Sequence, residues 1–200
     1  MMGNCRLHIL REAYRLFLSN NVEKVTISEI EKATKKIRGT IFYHFKDKQS
    51  IFEAVINEIF LPLSEIPPKV IITKNSLSLC DFIESYKSPE ERIIDGTNKM
   101  FQIEDAGIHY YDFLSQAGKY CPDFRTRYID VINNEFVFLN NIIKKNRGKE
   151  NSFSYTEEEL ARIIMLLKTG FVCVREYAKN SPNLNYNDLF KKIFFHICER

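Results

Sequence analysis

Tryptophan is absent from this 200-residue chain, and glycine (7) and proline (6) are scarce. That scarcity excludes a collagen-like repeat and leaves no Gly/Ser linker, so extended disorder is not expected. No run of about 18 apolar residues occurs, which argues against a membrane-spanning helix. The first residues, Met1-Met2-Gly3-Asn4-Cys5-Arg6, lead into an amphipathic stretch and not an apolar one. No secretory signal is read there, and the protein is expected in the cytoplasm. Five cysteines, Cys5, Cys80, Cys121, Cys173 and Cys198, make an odd set with no C-x-x-C pair. Neither a disulfide scaffold nor a zinc knuckle is indicated, and reduced packing residues are expected. The chain has no glycine-rich phosphate loop, no G-x-S-x-G and no H-E-x-x-H. The four histidines, 8, 44, 109 and 196, form no cluster at metal-ligand spacing. No enzyme activity, metal or cofactor is expected.

What is present is a globular composition, 44% hydrophobic and 28% charged, long enough for a core of its own. The net charge of +3 is unevenly spread. Residues 1–50 hold ten Lys and Arg against five Asp and Glu, a net of +5; residues 51–200 hold 19 against 21, a net of −2. A basic head on a near-neutral body points to a polyanion partner for the head.

Helical periodicity dominates. Residues 6–18 place Ile9, Leu10, Ala13, Leu16 and Phe17 on one face. Thr26-Ile27-Ser28-Glu29 reads as a capping box opening a short helix with Ile30 and Ala33. Thr34-Lys35-Lys36-Ile37 reads as a turn, and a third short helix offers Ile41, Phe42 and Phe45 for packing. Asp47 is an N-cap for a helix bearing Ile51, Phe52, Val55, Ile56 and Ile59. Pro62, Pro67 and Pro68 predict a boundary or strong kink. A loop and a helix near 76–86 follow, then Ser88-Pro89-Glu90-Glu91 starts a helix to about 104. Further helices are expected over 107–118, from Pro122 to 145 (apolar face Ile129, Ile132, Phe136, Leu139, Ile143), and behind the capping box at Thr156. That helix would bury Leu160, Ile163, Ile164, Leu167, Phe171 and Val174, with Gly170 suggesting close helix approach. A last one spans about 186–198. The fold class is all-α, with about nine helices and no sheet.

Residues 26–48 form the informative unit: a capped short helix, a four-residue turn, a second short helix, and basic residues at both ends. This is the outline of a helix-turn-helix, whose second helix enters the major groove. Arg38, Gly39, Thr40 and Tyr43 suit that helix, being small, polar or long enough to reach a base edge. Lys35, Lys36, Lys46 and Lys48 flank it where phosphates would pass.

The run Gly39-Thr40-Ile41-Phe42-Tyr43-His44-Phe45-Lys46-Asp47-Lys48 resembles the recognition-helix signature of TetR-type transcriptional regulators. The upstream spacing Ile9, Ala13, Phe17, Thr26-Ile27, Ile30 is similar to that family's first two helices, and the resemblance covers about residues 5–56. It departs at Glu31, where the family often has Ala, and at Thr34-Lys35-Lys36-Ile37, where Ala-Gly-Val-Ser is common. Thr34 is then available to cap the third helix, and Ile37 to take the place of the buried Val. By position, the resemblance implies that Thr26 and Ser28 touch phosphate, Arg38 and Thr40 face bases, and Tyr43 and His44 contact phosphates or base edges. Lys48 would bind phosphate, and Phe42 and Phe45 would be core.

The resemblance also implies two domains: a three-helix DNA-binding domain at 1–46 and a helical regulatory domain at 47–200. It implies a double-stranded DNA operator, a homodimer and an unidentified small-molecule effector, with no membrane partner. An effector pocket is expected near His109, Tyr110, Phe113 and Tyr128, and a dimer interface at Leu167, Gly170, Phe171, Val174, Phe190 and Phe194. The reading is a sequence-specific repressor released from a palindromic operator by its effector. The alternative is a helical small-molecule-binding or interaction protein whose head no longer binds DNA.

Overall fold

A computed structural model of the chain describes residues 2–66, 79–103, 106–146, 155–178 and 192–193. The described residues are helices and connecting turns, with no strand among them. In chain order they are α1 (Met2–Ser19), α2 (Ile27–Thr34), α3 (Arg38–His44), α4 (Lys48–Val55), a π-helical turn (Ile56–Phe60), α5 (Leu61–Ser64), α6 (Leu79–Ser85), α7 (Pro89–Phe101), α8 (Ala106–Tyr120), α9 (Phe124–Asn146) and α10 (Glu157–Tyr177). The helix expected over 186–198 lies outside the described residues apart from 192–193.

The expected kink at Pro62 takes a different form. Proline has no N–H and its ring presses on the carbonyl four residues back. The helix does not break; it widens by one residue, so that Leu61 N–H donates to the Ile56 carbonyl. The π turn delivers the chain into α5 with Pro62 inside the helical path. Serine and threonine starts behave as expected. Ser88 Oγ accepts from Glu91 N–H at 3.3 Å while Ser88 N–H donates to Glu91 Oε2 at 3.1 Å. Thr156 and Glu159 make the same reciprocal pair.

The chain divides into two compact units. One comprises Met1–Leu63 and Ile93–Tyr128, the other Ser64–Arg92 and Ile129–Arg200. In the first unit α4 and α8 share a core with α1. Aromatic edges fill that core, with Phe17 and Phe52 at 5.2 Å between centroids and Tyr14 and Phe113 at 5.3 Å, both T-shaped. Tyr14, not the half-buried Leu16, completes the buried face of α1, and its hydroxyl meets Thr97 Oγ1 at 2.9 Å. Burial raises the Tyr14 hydroxyl pKa, so it stays neutral there. A Cβ on Gly96 would lie 2.6 Å from Leu63 Cδ2, so a larger residue there would displace the end of the Leu63 side chain.

In the second unit, Leu79, Phe82, Ile83, Tyr86, Leu139, Ile142, Ile143, Leu160, Ala161 and Ile164 form the core. Beside it Arg92 Nη2 donates to Glu135 Oε2 at 2.6 Å, and Tyr86 OH donates to Glu135 Oε1 at 2.6 Å. Arg92 Nε also donates to the Ser64 carbonyl at 2.8 Å. A buried carboxylate met on both oxygens escapes the penalty of an unpaired buried charge. Two expected core positions are corrected: Ile129 is 57% exposed and Val174 is also exposed, because each falls on the outer edge of its helix. A Cβ on Gly170 would meet nothing within 4 Å among the described residues, so no described helix approaches closely there.

Candidate nucleic-acid interface

The interface is set by how α2 and α3 are held. Thr26, extended at φ −108°, caps α2: its Oγ1 accepts from Glu29 N–H at 3.2 Å, and its own N–H donates to Glu29 Oε2 at 2.7 Å. Those bonds, the backbone one foremost, hold the Glu29 carboxyl below its ordinary pKa. Ile30 anchors α2 in the core. At the far end Thr34 turns inward and its Oγ1 donates to the Ile30 carbonyl at 2.7 Å. The next residue, Lys35, takes φ 54°, ψ 32°, the left-handed closure that glycine adopts without cost. His8 Nε2 lies 3.1 Å from the Thr34 carbonyl, tying α1 to this same end.

The turn then departs from expectation. Thr34 does not cap α3; its Oγ1 accepts from Lys36 N–H at 3.3 Å within the turn. Ile37 stands at the N-cap of α3, with no side-chain capping bond, and is 76% exposed. It does not replace a buried valine. The register of the turn gives the half-buried position to Lys36 instead.

Ile41 is fully buried and Phe45 nearly so, and they fix which side of α3 faces the protein. The opposite side carries Gly39 and Tyr43, both exposed, with Tyr43 at 71%, and the half-buried Thr40 beside them. Phe42 is 43% exposed, so its expected core role is corrected: in a helix, burying 41 and 45 turns 42 outward. Nothing lies within 4 Å of a Cβ placed on Gly39, so the free chain has no steric need for glycine there. Arg38 Nε sits 3.6 Å from Glu31 Oε2, and the Arg38 side chain stays 59% exposed. Glu31, one of the departures from the resemblance, thus has a partner on α3. Thr26, Ser28, Lys35 and Lys46 are exposed, and Lys36 and His44 half-buried, on the same 26–48 unit.

Lys48 is placed otherwise than expected. Its Nζ donates to the carbonyls of Val22, Glu23 and Val25 at 2.7, 3.1 and 2.8 Å. An ammonium has three protons, so Lys48 clamps the loop that leads into Thr26 and is not poised for phosphate. Sequence reasoning missed this because the loop 21–25 comes alongside α4 only in the fold.

Of the residues expected around an effector, Tyr110, Phe113 and Tyr128 join one aromatic cluster. Tyr110 and Phe113 are buried in the aromatic core, and Tyr110 OH meets Tyr128 OH at 2.7 Å. His109 instead borders an open cleft of about 360 Å³ with Leu18, Ser19, Asn20, Asn21, Asp112, Ser115 and Gln116. In the second unit, a cavity of about 140 Å³ is lined by Ser64, Glu65, Ile66, Val131, Asn134 and Glu135. Of the expected interface residues, Leu167 and Phe171 are half-buried and Gly170 and Val174 exposed; Phe190 and Phe194 lie outside the described residues. No group of three or more His, Cys, Asp and Glu among the described residues could hold a metal. No helix among them is long and apolar enough to cross a membrane.

Comparison with known proteins agrees with this geometry. Residues 9–55 match the family model described as bacterial regulatory proteins, tetR family. The repressor AcnR of Corynebacterium glutamicum is 40% identical over 63 residues, 32% of this chain and 34% of that protein, so the match takes in about a third of the relative's length. The regulator AcrR of Shigella flexneri is 25% identical over 193 residues, covering 84% of this chain and 90% of its own. These relatives are named as transcriptional regulators, not as enzymes. Among solved structures, E. coli NemR in its reduced form aligns with a TM-score of 0.65 at 16% identity over 96% of this chain and 97% of its own. NalD, titled the secondary repressor of the MexAB-OprM multidrug efflux pump in Pseudomonas aeruginosa, aligns at 0.62 with 15% identity over 100% and 98%. Residues 9–55 thus resemble the tetR family of bacterial regulatory proteins, and the solved structures share the helical fold behind them.

Proposed function

We propose that this chain is a DNA-binding transcriptional repressor acting as a homodimer in the cytoplasm. The observation that carries the reading is the outward face of α3. Arg38, Gly39, Thr40 and Tyr43 project from a helix anchored on its other side by Ile41 and Phe45, with lysines around it. Base edges are read by Arg38 and Thr40, and Gly39 lets the backbone approach. Lys35, Lys36, Lys46, Thr26, Ser28, Tyr43 and His44 supply phosphate contacts, which give affinity without sequence. Lys48 acts at one remove, by fixing the loop that positions Thr26. The head is the DNA-binding domain of the proposed division at 46/47, and the rest is regulatory.

Two such heads about 34–36 Å apart would meet successive major grooves of a palindrome. The exposed stripe with Gly170 and Val174 on α10, beside Leu167 and Phe171, is the proposed contact between copies. A small molecule that binds better to another spacing of the heads would release DNA, by that difference in affinity alone. The proposed effector site lies near His109, Tyr110, Phe113 and Tyr128, of which Tyr110 and Tyr128 meet hydroxyl to hydroxyl.

Selection of duplexes from a random pool at physiological salt tests the function. Recovery of a palindrome is expected; no enrichment would favour the alternative of a helical binding protein with a silent head. Replacing Lys35 and Lys36 by Ala should weaken binding to all sequences and lower the log–log salt slope by about 2, at roughly 0.9 per phosphate. An unchanged slope rejects their phosphate role. Phe171→Asp should give monomers by sedimentation, and persistent dimers would move the interface elsewhere.

A further inference from the structure

Ile37 is the anomaly of the head. It holds the cap position of α3 in extended backbone, φ −71°, ψ 153°, and its side chain offers the helix no acceptor. Ser, Thr, Asp and Asn are favoured at such a position because their oxygens receive a free amide. The side chain is not compensated by burial either, being 76% exposed. In the isolated chain this side chain neither caps α3 nor is buried.

Its surroundings define what it meets on DNA. Lys35, Arg38 and Lys46 are exposed, and Lys36 and Thr40 half-exposed, on the same turn-and-helix unit, a cationic frame suited to a duplex. Residues that begin a recognition helix are those that reach base edges. Within the major groove the base edges present donors and acceptors, except for one apolar group, the C5-methyl of thymine. We propose that Ile37 is a specificity-determining contact that reads a thymine methyl in each half-site. This rests on the DNA-binding reading above. Arg38 then reads a neighbouring base by hydrogen bonds, and Ile37 excludes a base that lacks the methyl.

The test uses the full chain and the duplex recovered from the random pool. Each thymine is replaced singly by uracil, which keeps pairing and the O4 acceptor and loses only the methyl. Synthetic duplexes contain no methylcytosine, so the methyl in question is thymine's. Wild-type protein should lose affinity about 3- to 10-fold at one position per half-site, the scale of one buried methyl. Ile37→Ala should bind the thymine and uracil duplexes equally at that position and keep its other preferences. Ile37→Ser should do the same while melting at an equal or higher temperature, because serine supplies the missing cap; misfolding then cannot explain the loss. A wild-type protein indifferent to every uracil overturns the proposal, as does Ile37→Ser retaining the preference. A pool that yields no operator at all overturns the regulator reading, and this contact falls with it.

Discussion

Helices α2 and α3 are neighbours of similar length, Ile27–Thr34 and Arg38–His44, yet they are stabilised in opposite ways. A reciprocal capping box opens α2, and a buried threonine and a left-handed residue close it. No side chain caps α3, which buries one of its own residues, Ile41, with Phe45 just behind it. Exposed on α3 or at its start are Ile37 and Tyr43, at 76% and 71%, and to a lesser degree Phe42 at 43%. The first helix is completed by the protein. The second is left open on the side where the proposed duplex would complete it.

The sharpest way to break this contrast is at the anchors. Ile30 and Ile41 are both fully buried. Ile30→Ala and Ile41→Ala should each cost about 2–5 kcal/mol in chemical denaturation. With little else to hold it, α3 should lose its hydrogen-exchange protection in Ile41→Ala, whereas α2 should keep part of its own in Ile30→Ala. Equal protection of both helices in both variants would erase the distinction. Next comes Lys48. Lys48→Met keeps the aliphatic stem and leaves three carbonyls short of a donor, so a loss of about 1–3 kcal/mol is expected. The salt slope of DNA binding should stay as in wild type. A slope reduced by about 1 would return Lys48 to the phosphate contacts.

What the sequence disclosed follows the range of each interaction. Thr26 with Glu29, Ser88 with Glu91 and Thr156 with Glu159 were legible because a capping box is complete within four residues. The apolar faces of α1 and α4 were legible for the same reason, and so was the all-α class. Ile37 was misplaced because the turn's register depends on the left-handed Lys35, and lysine carries no marker for that conformation. Lys48 was misread because its acceptors lie 23 to 26 residues away. His109, adjacent to Tyr110 in the chain, faces a different space, since neighbours on a helix point about 100° apart. Pro62 was seen as a break, but a π turn absorbed it, within which Ile59 and Phe60 are buried.

A finer contrast comes from exchanging the logic of the two helices. Thr26→Ala removes the α2 cap and should cost about 1 kcal/mol. Gly39→Ala should do the reverse in α3: no atom obstructs the added methyl, and helix propensity favours alanine by about 0.5–1 kcal/mol. The same methyl lies on the face offered to the groove, so operator affinity should fall while the melting temperature rises. Stability and binding moving together in Gly39→Ala would mean that the glycine serves the fold and not the duplex.

The smallest effect is a dependence on acid confined to α2. Glu29 has its carboxyl pKa lowered below the ordinary 4.5 by the Thr26 amide first and the Thr26 hydroxyl second, though it is fully exposed. A group whose folded pKa is depressed stabilises the fold fully above its unfolded value, and that contribution is lost as pH falls through the folded one. The start of α2 should therefore loosen below about pH 4.5, and Glu29→Gln should remove that part of the pH dependence. Helix α3 contains no carboxylate and should show no matching response of its own. Amide exchange followed from pH 6 to pH 3 in wild type and Glu29→Gln decides it: the two proteins should diverge at Glu29 and Ile30 and coincide at Ile41. Divergence of equal size along both helices would show that Glu29 supports the head as a whole, and that the two helices are not separately stabilised.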